Sequence, residues 1–80
     1  MKLIAGKMNY SKQTYYWELP EFSTIPNVGD YAIVQNLTDY DLVKIVGILE
    51  TNEEYIKFIT GVNVNKNVIK IIDRQYIRGD

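Results

Sequence analysis

Residues 26–50 read Pro-Asn-Val-Gly-Asp-Tyr-Ala-Ile-Val-Gln-Asn-Leu-Thr-Asp-Tyr-Asp-Leu-Val-Lys-Ile-Val-Gly-Ile-Leu-Glu. This stretch decides the fold. Pro26 and Gly29 mark a turn, after which Asp30 to Gln35 alternates as a strand does. Ala32 and Val34 fall on one side of that strand; Tyr31, Ile33 and Gln35 fall on the other. Asn36 to Asp41 is polar and turn-forming. Leu42 to Glu50 is a second strand, with Val43, Ile45, Gly47 and Leu49 on an apolar face and Leu42, Lys44, Val46 and Ile48 on a mixed one. Two partly apolar faces place that strand at the centre of a sheet.

The flanking sequence extends the same pattern. Residues 2 to 8 have strand character that Gly6 weakens or bends. Asn9 to Gln13 reads as a turn, and Thr14 to Leu19 as a strand able to pair back as a hairpin. Pro20 and Pro26 pin a loop over residues 20–30. Residues 51–61 carry two opposed signals. Thr51-Asn52-Glu53-Glu54 resembles a capping box with Thr51 as N-cap, and Gly61 sits where a helix ends. Tyr55 to Thr60, however, is rich in strand formers. A short helix over residues 52–60 and a strand both stay open. Asn67 to Asp73 is a closing strand, and residues 74–80 form a tail with one turn around Tyr76 and Ile77.

Composition bounds the rest. Eighty residues make one domain with a small core. Ile, Val and Thr supply 23 residues, whereas Ala supplies 2, which favours strands over helices. Cysteine and histidine are both absent. That removes disulfides, thiolate and imidazole metal ligands and the commonest general base. Neither a phosphate-cradling glycine pattern nor a catalytic constellation is present, so no enzyme and no cofactor are expected. Nine Lys and Arg stand against ten Asp and Glu, for a net charge of −1. The balance argues against a strong general attraction to nucleic acid, though not against a local basic face. No apolar run nears the roughly 20 residues of a membrane span. Lys7 interrupts the N-terminal apolar stretch before signal-peptide length, so a cytoplasmic protein is expected. Asn9-Tyr10-Ser11, Asn36-Leu37-Thr38 and Arg78-Gly79-Asp80 match extracellular motifs that carry no weight in that setting.

The expected fold is mainly β, a small, partly open barrel of about five strands, with a short helix over residues 52–60 as one of the two readings of that segment. The alternative is an α+β arrangement, a curled sheet with one helix across it. Candidate binding residues follow from residue type. Tyr10, Tyr15, Tyr16 and Trp17 form an aromatic cluster suited to docking or stacking, with Tyr15 and Trp17 on one face of a strand and Tyr16 on the other. The same residues would serve equally as core. Lys44 interrupts an apolar strand, as an edge guard or as a contact to an anion. Tyr40 and Asp41 lie in what reads as the best-placed loop. Lys57, Lys66, Lys70, Arg74 and Arg78 make the C-terminal half the more basic one.

Gly29-Asp30-Tyr31-Ala32-Ile33-Val34 and Tyr40-Asp41-Leu42-Val43-Lys44-Ile45-Val46-Gly47-Ile48, with Val68-Ile69-Lys70-Ile71-Ile72-Asp73, carry a resemblance. The chain resembles short, uncharacterised proteins encoded by phages and mobile elements of Gram-positive bacteria. The Gly-Asp strand opening is also similar to that of SH3-like barrels. The resemblance covers roughly residues 28–73 and bears on fold more than activity. Taken with the small size, the lack of catalytic groups and the aromatic cluster, it leads to the expectation of a non-enzymatic protein that docks on a host or phage protein, for instance to inhibit a defence system. The expected contact set is Tyr15, Trp17, Tyr40, Asp41 and Lys44. Two alternatives stand beside it: nucleic-acid binding through Lys57, Lys66, Lys70, Arg74 and Arg78, and a homo-oligomer that sequesters a small nucleotide signal. No membrane partner is expected.

Overall fold

The computed structural model describes residues 1–9, 11–21, 25–36 and 38–75. Five strands and one helix follow one another as β1 (Lys2–Met8), β2 (Tyr15–Glu18), β3 (Tyr31–Asn36), β4 (Asp39–Glu50), α1 (Glu53–Thr60) and β5 (Val68–Ile72). All strand pairs are antiparallel, in the order β2-β1-β4-β3-β5. The fold is thus mainly β, in one sheet.

That sheet is not closed into a barrel. The edge strands β2, of four residues, and β5, of five, do not pair with each other. The segment leading into β5 lies along the free side of β2 instead. Asn65 donates its backbone N–H to Tyr16 O and accepts at its backbone O from Glu18 N, at 2.9 and 2.7 Å. Two residues on, Asn67 O accepts from Gln35 N of β3 at 3.0 Å. One short stretch therefore occupies hydrogen-bonding groups of two strands, which protects the β2 edge from foreign pairing.

β4 is the spine. Its N-terminal half pairs with β3 over residues 39–44, and its C-terminal half pairs with β1 over 43–50. The hairpin between β3 and β4 is tighter than the polar run suggested. Asn36 pairs with Asp39, so Tyr40 and Asp41 belong to the strand and not to a loop. Between Ala5↔Gly47 and Gly6↔Ile45 the register shifts, leaving Val46 unopposed. This bulge turns the strand and reverses which side chains point inward. Val43 and Ile45 are buried, but beyond the bulge Ile48, not Leu49, packs on the core. The unbroken alternation that would place Gly47 and Leu49 with Val43 fails for that reason.

The main core comprises Ile4, Trp17, Leu19, Ala32, Val34, Val43, Ile45 and Val68 on the inner face. Trp17 is its largest member, and its ring lies over Gly6. A Cβ built at Gly6 would sit 3.0 Å from Trp17 Cζ3 and 3.2 Å from Val43 Cγ2. Glycine is needed there for space. A smaller cluster of Leu3, Ile56 and Val64, bordered by Tyr16, lies on the outer face of β1 and β2 beneath α1. Helix wins over strand in residues 53–60 because both ends are capped. The N-cap is Asn52, one residue later than the Thr51 of the expected capping box. Its Oδ1 accepts from Tyr55 N at 2.8 Å. Gly61 closes the helix at φ 76°, donating to Lys57 O.

Asp30 is the buried polar tie. Its Oδ2 accepts from Asn27 N at 2.8 Å and its Oδ1 from Arg74 N at 3.2 Å. Its backbone O accepts from Ile45 N at 2.8 Å. The turn before β3, the spine and the chain after β5 thus meet at one residue. Gly29, at φ 102°, supplies the left-handed conformation ahead of it.

Four outcomes are expected in chemical denaturation. Gly6→Ala destabilises by about 1–3 kcal/mol through overpacking against the Trp17 ring. Gly47→Ala, whose new methyl would make an ordinary 3.5 Å contact with Ala5 Cβ, changes stability by no more than about 0.5 kcal/mol. Asp30→Ala costs about 2 kcal/mol or more, because two backbone donors lose their acceptor in a partly buried site. Asp30→Asn, which keeps one acceptor oxygen, costs less.

Candidate functional site

The two sides of the sheet differ in what they expose. On the outer side, alternation and register bring residues from four strands into rows. Lys7 of β1 is opposite Lys44 of β4, Lys44 is opposite Tyr31 of β3, and Tyr31 is opposite Ile72 of β5. In the next row Ile33 is flanked by Leu42 and Lys70. Beyond it, Gln35 is opposite Tyr40. Lys7, Lys44, Lys70 and Tyr40 are exposed, while Tyr31, Ile33, Gln35, Leu42 and Ile72 are half-buried. None of these three lysines makes an ion pair among the described residues.

The five residues expected to contact a protein partner do not share a surface. Tyr40 and Lys44 lie on the outer face. Trp17 is 1% exposed and belongs to the core, so the sheet leaves its ring no route to a partner. Tyr15 packs beside it, with ring centroids 6.3 Å apart. Asp41, opposite Val34, alternates to the inner side. The aromatic pair is core because β2 turns its Tyr15–Trp17 side toward the larger cluster. Tyr16 goes to the smaller one beneath α1.

The basic set is also divided. Lys70 joins Lys44 on the outer face. Lys66 is ion-paired with Glu53 at 3.2 Å. The hydrogen bond that Lys66 donates to the Glu53 carboxylate raises its pKa, helped by the charges of Glu53 and Glu18. Lys57 stands in the last turn of α1, where a cation suits the helix end. Arg74 folds against the β3 turn, its Nη1 3.2 Å from where a Cβ on Gly29 would be. Arg78 lies outside the described residues.

Two sets of residues emerge only with the coordinates. Lys7 and Tyr31 complete the outer row around Lys44. Their alternation is visible in the sequence, but the register that places them together is not. The second set is on α1. Ile56 faces the sheet, whereas Tyr55, Phe58 and Ile59 are 56, 85 and 59% exposed. Their i, i+3, i+4 spacing puts them on one side of the helix. Leu49 and Val46 of β4, also exposed, lie on the outer side of the sheet, and Leu49 is opposite the Leu3 that supports α1.

Among the described residues no three of His, Cys, Asp or Glu gather as metal ligands, and no helix is long and apolar enough to cross a membrane. The surface hollows are shallow and of mixed polarity. One of about 300 Å³ is lined by Met1, Lys2, Glu18, Leu19, Pro20, Glu21 and Ile25. The chain matches no family model, and no curated protein or solved structure shows significant similarity to it.

Proposed function

We propose that this chain is a non-enzymatic binding protein that docks on another protein through α1. The exposed stripe of Tyr55, Phe58 and Ile59 carries the reading. A helix of eight residues is marginal on its own and holds its shape through caps and through Ile56. Leaving an aromatic ring almost wholly in water beside two further large apolar side chains adds nothing to this fold. Burying such a side chain gives about 1.5–3 kcal/mol. Exposed apolar patches with aromatic anchors mark interaction surfaces.

The stripe fits a groove better than a copy of itself. The helix is roughly 12 Å long. Two such stripes laid face to face would bury far less than the ~800 Å² per partner of a stable interface. An apolar groove that surrounds the helix would bury all three side chains and also reach Leu49 and Val46. This is the helix-in-groove mode of recognition. The resemblance to phage and mobile-element proteins points to a host or phage protein as the partner, with inhibition of a defence system as the consequence. The contact set moves accordingly from Tyr15 and Trp17 to Tyr55, Phe58 and Ile59.

The test is affinity purification of the tagged chain from bacterial host lysate beside Phe58→Ala and Ile56→Ala variants. Phe58→Ala keeps the stability of the parent within about 0.5 kcal/mol, because the ring is exposed. It loses at least about 2 kcal/mol of affinity for a stoichiometric partner. Ile56→Ala, by contrast, destabilises the fold by about 2 kcal/mol or more. A partner retained unchanged by the folded Phe58→Ala protein contradicts the proposal.

A further inference from the structure

The outer face around Lys44 is separate from the helix stripe and differs from it in chemistry. Lys44 does not hold the position of an edge guard. A lysine on an edge strand guards against aggregation, and Lys70 on β5 serves that purpose. Lys44 is on β4, paired on both sides, where there is no edge to guard. It also stands directly opposite Lys7. Like charges opposed across two strands are destabilising. Among the described residues neither lysine is ion-paired, and Asp39 and Asp41 alternate to the opposite side of β4. A chain of net charge −1 thus gathers on one part of one face three lysines that make no ion pair among the described residues.

The rings on that face narrow the ligand. Tyr31 lies between Lys44 and Ile72 in the first row, and Tyr40 is 64% exposed beside Gln35. Alternating cations and rings on an open sheet are what an unstacked strand of nucleotides needs: charge for the phosphates and flat surfaces for the bases. A peptide rich in carboxylates would use the lysines and leave the rings idle. We propose that the outer face of β1, β4, β3 and β5 binds single-stranded nucleic acid without sequence preference. Lys7, Lys44 and Lys70 contact phosphates, and Tyr31 and Tyr40 stack on bases.

Titration of the full chain with a fluorescent thymidine dodecamer, at salt from about 50 to 200 mM, tests this. Binding is expected to weaken steeply with salt. Lys44→Gln and Lys70→Gln each flatten the slope of log K against log salt by about 0.7. Tyr40→Ala weakens binding roughly tenfold with little change in that slope. All three residues are exposed, and an unchanged thermal melt confirms that the variants fold. Phe58→Ala is expected to bind like the parent, which separates this site from the docking helix. Three results would overturn the inference: no binding at the lowest salt, equal affinity for a duplex of the same length, or equal competition by polyglutamate.

Discussion

The structure depends on β4 serving two neighbours along its length. It pairs with β3 through its first half and with β1 through its second, and Val43 and Lys44 are the two residues in register with both strands. At that point the sheet is four strands wide. Inside, Met8, Val43, Ala32 and Ile71 form one rung of the core. Outside, Lys7, Lys44, Tyr31 and Ile72 form the matching rung. The bulge at Val46 follows directly. A twelve-residue strand must bend to leave one partner for the next, and an extra residue supplies the bend. Trp17 over Gly6 fills the inner volume beside that bend.

The remaining elements lock this spine in place. Asp30 joins the turn before β3 to Ile45 on the far side of the crossover and to Arg74 after β5. The segment at Asn65 and Asn67 spans from β2 to β3 and substitutes for closure of the sheet. α1 covers the outer side only over β1 and β2, through Ile56 on Leu3. The lysines and tyrosines lie on the uncovered outer side over β3, β4 and β5 and the Lys7 end of β1. Two surfaces of different chemistry thus result from one fact of topology, that the single helix shields half a sheet.

Much of this could be read from residue order. The hairpin of residues 30–50 follows from Gly29-Asp30, the turn run and the alternation of small and branched apolar residues. The helix end at Gly61 is legible from glycine alone. What could not be read is parity and register. Periodicity gives two faces to a strand without saying which is inside, so Trp17 passes equally for an anchor or for core. A bulge leaves no mark in composition, so Leu49 seems to continue the face of Val43. The polar Thr38–Asp41 run is partly strand because pairing with Val34 and Gln35 outweighs its turn-forming composition. The N-cap falls on Asn52 and not on Thr51, a shift of one residue between two side chains that can both cap. Closure into a barrel depends on what pairs with the free side of β2, and that place is taken by residue 65, far away in sequence.

The most direct measurement is an amide-resolved NMR titration of the ¹⁵N-labelled chain with the thymidine dodecamer. Shifts are expected only at Lys7, Tyr31, Tyr40, Lys44 and Lys70 and their strand neighbours, with Tyr55, Phe58 and Ile59 unmoved. Shifts centred on α1, or spread evenly over all lysines including Lys57 and Lys66, would contradict the division of the surface into two sites.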